Sequence, residues 1–104
     1  MERGELLRAL RGALERAHGR RLAGLVLYGS EARGESAPDS DIDVLVLLAG
    51  PVEYLQDLRT SIRAVYPLVL ESERPIHPKP VAAEEYESSD FPLYRRARAE
   101  GVPV

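Results

Sequence analysis

Apolar residues recur at helical spacing near the start of the chain. Leu7, Leu10, Leu14 and Ala17 form one stripe, widened by Leu6 and Ala13, while Arg8, Arg11, Glu15 and Arg16 take the other positions. The pattern predicts an amphipathic helix over residues 3–18 with Gly19 as its C-cap. Residues 22–28 carry no charge and read as a buried strand, cut short by Gly29-Ser30. Residues 31–34 suit a single helical turn, and 35–40, with Pro38, a loop. Residues 41–48 form a second strand. After its two acids both faces are apolar, as expected of a central strand.

The later chain is less regular. Leu55, Leu58, Ile62 and Val65 predict a second helix over residues 52–65, ended by Pro67. Residues 68–71 then read as a third strand. Residues 73–80 hold Pro75, Pro78 and Pro80, which confines them to a loop or an edge strand. A helical tail is expected over about 82–104, with Pro92 at the first position of its main helix and Gly101 past the end. The sum is an α/β (α+β) fold, a small mixed β-sheet with helices packed on it, as one domain over residues 1–104.

Composition narrows the function classes. With 104 residues, 44% hydrophobic and 30% charged, the chain has the balance of a globular protein. A net charge of −3 argues against a general nucleic-acid binder. No cysteine is present, which excludes disulfides, thiolate metal sites and thiol catalysis. The apolar run over residues 42–50 is broken by Asp43 and is too short to cross a bilayer, and the first residues do not resemble a secretory signal. A cytoplasmic location is the expectation.

The main chemical signal is Asp41-Ile42-Asp43 at a strand start. Residues i and i+2 of a strand share a face, which sets the two carboxylates about 7 Å apart by backbone rise. Such a pair can bracket two divalent cations about 4 Å apart, the arrangement used in phosphoryl and nucleotidyl transfer. Oxygen ligands without cysteine or histidine favour Mg²⁺, with Mn²⁺ as the alternative. With Asp39, the pair also reads as an acidic, solvated strand start, which is what an isolated Asp-x-Asp usually is. Here it is joined by Gly29-Ser30, which ends a buried strand and opens a helical turn. Glycine lets a phosphate approach the backbone, helix-opening amides attract anions, and the serine adds a hydroxyl. Arg33, one turn on, offers a bidentate guanidinium. His18 and His77 read as structural or surface residues. Tyr54, Tyr66, Tyr86 and Tyr94 read as packing or interface residues.

Leu27-Tyr28-Gly29-Ser30-Glu31-Ala32-Arg33-Gly34-Glu35-Ser36, followed by Ser40-Asp41-Ile42-Asp43-Val44, resembles the signature of the minimal nucleotidyltransferases of the DNA polymerase β superfamily. The two motifs span residues 27–44, and the element order extends the likeness over about 5–71. The resemblance implies a polymerase β-like nucleotidyltransferase fold. It implies that Gly29, Ser30 and Arg33 bind the triphosphate of a nucleotide, with ATP expected, and that Asp41 and Asp43 hold two Mg²⁺ ions. It also implies a third acid on a later strand. Glu71 is the best placed, and Glu73 shares its face if that strand continues; both read equally as exposed loop acids.

Short members of this family are commonly encoded beside a helical HEPN-domain protein. The resemblance therefore implies an antitoxin that transfers AMP to a tyrosine of a HEPN toxin. The alternative is a degenerate relative that neutralises its partner by binding alone, and completion of the site by Glu71 or Glu73 separates the two. An antibiotic nucleotidyltransferase ranks last, because those enzymes usually carry a second helical domain for which this chain has no room. Phe91, Leu93 and Tyr94, together with Arg95, Arg96 and Arg98, mark residues 91–104 as a contact with the partner or with a second copy, or else as a cover for the protein's own core.

Overall fold

A computed structural model describes residues 1–35, 37 and 39–104. Of the loop expected over 35–40, Ser36 and Pro38 lie outside the described residues. The elements are α1 (Arg3–His18), β1 (Leu22–Tyr28), α2 (Ser30–Arg33), β2 (Ile42–Leu48), α3 (Tyr54–Ser72), β3 (Ile76–Ala82), α4 (Ala83–Ser88), α5 (Pro92–Glu100) and β4 (Val102–Pro103), with a 3-10 turn over Gly19–Arg21. The sheet order is β3-β2-β1-β4. β1 runs antiparallel to β2 and β4, and β2 runs parallel to β3, so the sheet is mixed as the pattern predicted. Among the described residues no helix is long and apolar enough to cross a membrane.

Alternation along the strands divides the core in two. Leu25 and Leu27 of β1, with Ile42, Val44, Val46 and Leu48 of β2, pack under Leu6, Leu10 and Leu14 of α1 and Val65 and Leu68 of α3. The intervening residues Val26, Leu45 and Leu47, with Val81, meet Tyr86 of α4 and Tyr94 and Ala97 of α5 on the other face. The C-terminal segment therefore covers its own sheet. It also extends the sheet: β4 pairs with β1, and the Val104 amide donates to the Leu25 carbonyl at 3.0 Å. This short strand was not anticipated in the helical tail. A side chain at Gly101 would not fit, because a Cβ there would lie 2.5 Å from Val26 Cγ1 and 2.4 Å from the Ala97 carbonyl.

The second half of α3 corrects the sequence reading. Pro67 does not end the helix, and residues 68–71 are helical rather than a strand. An interior proline costs ~3 kcal/mol, largely through a lost hydrogen bond and a clash one turn back. Pro67 and Arg63, the residue one turn back, are both exposed, so water reaches the freed carbonyl. Asp57, Ser61, Val65 and Leu68 keep one buried face at helical spacing across the proline. The helix stops instead at Glu73, which adopts a left-handed conformation with φ 57°. The proline-rich stretch forms the edge strand β3. Pro78 and Pro80 are two residues apart, so both missing N–H groups fall on the side away from β2.

Candidate functional site

The site lies where β1 ends and β2 begins, since the antiparallel pair brings Tyr28 opposite Asp43. Gly29 makes the turn with φ 72° and ψ −150°, a conformation that side-chain-bearing residues rarely adopt. A Cβ at this position would also lie 3.0 Å from Asp43 Oδ2. Glycine is thus required twice, and the same contact shows the Asp43 carboxylate resting against the turn. Ser30 opens α2, and Gly34, with φ 71°, closes it by donating its amide to Glu31. Arg33 is exposed, with Nε 3.2 Å from Glu35 Oε2; an ion pair between two exposed side chains is weak and easily exchanged.

Asp41 and Asp43 flank Ile42, whose side chain is buried on the α1/α3 face, so both acids lie toward the α4/α5 face. Their environments differ. Asp43 is half-buried, and burial pushes its carboxyl above the ordinary range; nearby His77 opposes that rise and Asp41 adds to it. Burial, followed by the Asp43 and Tyr54 charges, likewise raises Tyr28. The Asp41 side chain is 59% exposed, and its Oδ2 lies 3.1 Å from His77 Nε2. His77 is the residue that β3 sets opposite Asp43 in the parallel ladder. Read from sequence as structural or surface, it is exposed but stands at the site; the signal was its place in a strand that the prolines disguised.

The third acid is not where the sequence put it. Glu71 lies exposed in the last turn of α3, and Glu73 is the exposed residue that caps it. Their helix packs on the α1/α3 face, opposite the one toward which Asp43 points. With residues 68–71 helical, the strand that was to carry Glu71 to the site does not exist. His18, read as a structural or surface residue, is structural: it is buried and 2.8 Å from Ser61 Oγ, and burial lowers its pKa.

Two further residues escaped the sequence. Glu31, next to Ser30, is 3% exposed, and Arg74 is 8% exposed. Arg74 Nη2 donates to Glu31 Oε1 at 2.6 Å, and its Nε donates to the Ser40 carbonyl at 2.9 Å. No local pattern marks this pair.

Among the described residues no group of three metal-ligating side chains is gathered. Two carboxylates are present, one of them beside the Gly29 turn. That set suits Mg²⁺, which keeps several waters and commonly binds one or two carboxylates plus substrate phosphates. Beside the turn, a cavity of about 110 Å³ lies between Tyr28, Gly29 and Arg33 on one side and Leu93, Arg96 and Ala97 of α5 on the other. The C-terminal helix therefore faces the Gly29 turn and Arg33 across this cavity, whose lining does not include Asp41 or Asp43.

The nucleotidyltransferase domain family matches residues 7–103. A Methanocaldococcus jannaschii protein provisionally named a protein adenylyltransferase is 34% identical over 58 residues, which is 56% of this chain and 58% of that protein. The chain thus spans a little over half the length of this curated relative. Among solved structures, a toxin–antitoxin with AMP-PNP superposes with a TM-score of 0.63 at 19% identity, covering 90% of this chain and 68% of that one. A mutant of the toxin–antitoxin MntA–HpeT gives 0.62 at 17% identity, covering 100% and 72%. At these identities the structural likenesses establish the fold.

Proposed function

The chain belongs to the nucleotidyltransferase domain family, and from that premise we propose that it is a Mg²⁺-dependent adenylyltransferase acting as an antitoxin. Its substrates are ATP and a tyrosine hydroxyl on a HEPN-domain toxin, and it works in the cytoplasm. The observation that carries this reading is the placement of the Asp43 carboxylate beside the Gly29 turn, so close that a Cβ at Gly29 would lie 3.0 Å from Asp43 Oδ2, which sets the acid pair and the turn on one sheet edge. The protein adenylyltransferase named among the relatives, and the AMP-PNP and toxin–antitoxin structures, agree with it.

In this reading Gly29 lets the triphosphate approach the backbone, Ser30 donates its hydroxyl, and Arg33 exchanges Glu35 for a phosphate. Asp41 and Asp43 hold two Mg²⁺ ions, with Mn²⁺ as a substitute. Bound metal supplies charge neutralisation on the phosphates and acidifies the acceptor hydroxyl. The acceptor oxygen attacks the α-phosphorus, the bond from that phosphorus to the bridging oxygen breaks, and pyrophosphate leaves. The Asp41 side chain is 59% exposed, so the proton released from the hydroxyl can pass to solvent beside it.

A second reading has one observation in its favour: His77, not an acid, stands opposite Asp43. Under it the protein neutralises its partner by contact alone. Incubation of the chain and its toxin with labelled ATP and Mg²⁺ decides. Label on a toxin tyrosine supports transfer. Neutralisation without label, undiminished by Asp41→Asn with Asp43→Asn, overturns it.

A further inference from the structure

Of the ion pairs among the described residues, Glu31–Arg74 has both side chains buried, at 2% and 9% exposure. It lies between the two halves of the site. Glu31 directly follows Ser30 of the phosphate turn, and Ser40 directly precedes Asp41. Arg74 reaches both, through Nη2 to Glu31 Oε1 and through Nε to the Ser40 carbonyl, with Nη2 also 3.4 Å from Ser40 Oγ. Its own segment is fixed in turn. The Arg74 amide donates to Ser72 Oγ at 3.2 Å, and the Ile42 amide of β2 donates to the Pro75 carbonyl at 2.9 Å.

We propose that Arg74 is a positioning residue that sets the separation between the phosphate turn and the two acids, so that one metal–nucleotide complex engages both. The inference rests on the reading of this site as a nucleotidyl-transfer centre. A guanidinium is planar and its donors are rigidly spaced, so two bonds from one fork convert into a fixed distance between their acceptors. Simple neutralisation of Glu31 would not need this residue, because Arg3 Nε already lies 3.5 Å from Glu31 Oε2. What Arg3 does not supply is the bond to the Ser40 carbonyl, on the peptide that leads into Asp41. Misplacement of reacting groups by about 1 Å is enough to cost roughly a hundredfold in rate.

The test separates the acids from their alignment with the turn. Mn²⁺ alone, followed by electron paramagnetic resonance, reports on Asp41 and Asp43. ATP titrated calorimetrically at saturating Mn²⁺ needs the acids and the turn together. Two variants are used: Arg74→Lys, which keeps the charge but loses the fork, and Glu31→Leu with Arg74→Met, which replaces a buried pair by apolar groups that a core tolerates. In both, Mn²⁺ affinity is expected to stay within about twofold of wild type while ATP affinity falls about tenfold or more. Arg21→Lys, which loosens the Asp57 pair at the opposite end of β1, is expected to leave both unchanged.

Wild-type ATP affinity in a folded Arg74→Lys overturns the proposal, as does an equal loss in Arg21→Lys. Failure of both Arg74 variants to fold overturns it too, since Arg74 would then be a core residue. Failure of the wild-type protein to bind Mn²⁺ and ATP is a different result, and it removes the reading of the site itself.

Discussion

His77 Nε2 lies 3.1 Å from Asp41 Oδ2, and the same residue stands across the ladder from Asp43. If the proposed acid pair holds Mg²⁺, the neighbouring group on β3 is a nitrogen donor rather than the oxygen ligand that Mg²⁺ prefers. His77→Asp is expected to strengthen Mg²⁺-dependent ATP binding by roughly tenfold, equivalent to ~1.4 kcal/mol. The gain should be larger with Mg²⁺ than with Mn²⁺, because Mg²⁺ is the harder ion. Both partners of the Asp41–His77 contact are more than half exposed, so thermal stability should barely change. Calorimetric titration with each metal checks this; equal affinities in variant and wild type would remove His77 from the metal site.

The acids themselves should be dispensable for folding. Burial raises the Asp43 carboxyl, so its ionised form is disfavoured in the folded state. Stability is then lost, not gained, as pH rises and Asp43 ionises. Asp41→Asn with Asp43→Asn is expected to hold or slightly raise the melting temperature while abolishing metal-dependent nucleotide binding. Retained Mg²⁺–ATP affinity would sink the assignment of these acids.

The turn should tolerate nothing larger than glycine. Gly29→Ala must place a Cβ against Asp43 Oδ2 at φ 72°. A non-glycine residue in such backbone costs about 1–3 kcal/mol. The melting temperature should therefore fall along with ATP affinity. Arg33 differs, being exposed and, among the described residues, paired with exposed Glu35. Arg33→Ala should leave stability within about 0.5 kcal/mol. It should nonetheless weaken ATP about tenfold, with Arg33→Lys in between because the fork is lost. An unchanged ATP constant in Arg33→Ala makes it a surface residue.

Truncation after Asp90 removes α5 and β4, and with them Tyr94, Ala97 and the partner of one edge of β1. Val26, Leu45 and Leu47 would then lose their cover. Loss of cooperative unfolding by circular dichroism is the expected result. A truncated chain that melts as sharply as the whole would show that the tail is an appendage after all.

The parts legible in the sequence are those whose signal is local. Helix α1 carries helical periodicity, strand β1 and, after Asp43, strand β2 are continuous apolar runs, and the Gly29 and Asp41–Asp43 motifs are short enough to read directly. Residues 68–71 failed because a brief apolar run fits strand and helix alike. Pro67 tipped that reading the wrong way, although its exposed side of α3 absorbs the missing bond. The same residue type hid β3, whose two prolines sit harmlessly on an edge, and with β3 went the register that sets His77 opposite Asp43. Arg74 and Glu31 are 43 residues apart, and no spacing rule connects them.

Acid stability should show two separate declines. Burial holds the His18 imidazole below its ordinary value of 6.5, opposed by Asp57 and assisted by Arg21. The unfolded chain takes up that proton first, so stability falls as pH drops below 6.5 and levels once the folded His18 also titrates. Asp57 behaves separately. The hydrogen bond from Arg21 is the main influence holding its carboxyl below 3.8. Its contribution is complete above 3.8 and disappears as pH falls through the depressed folded value. His18→Gln should therefore flatten the upper decline alone, and Asp57→Asn the lower one. Asp57→Asn should also cost about 1–2 kcal/mol at neutral pH, limited by solvent around a charged hydrogen bond. The limit applies because the Arg21 side chain is 41% exposed. Urea unfolding measured from about pH 7.5 to about pH 3 resolves the two. If His18→Gln keeps the full wild-type slope between about pH 6.5 and pH 5, the upper decline belongs to another group.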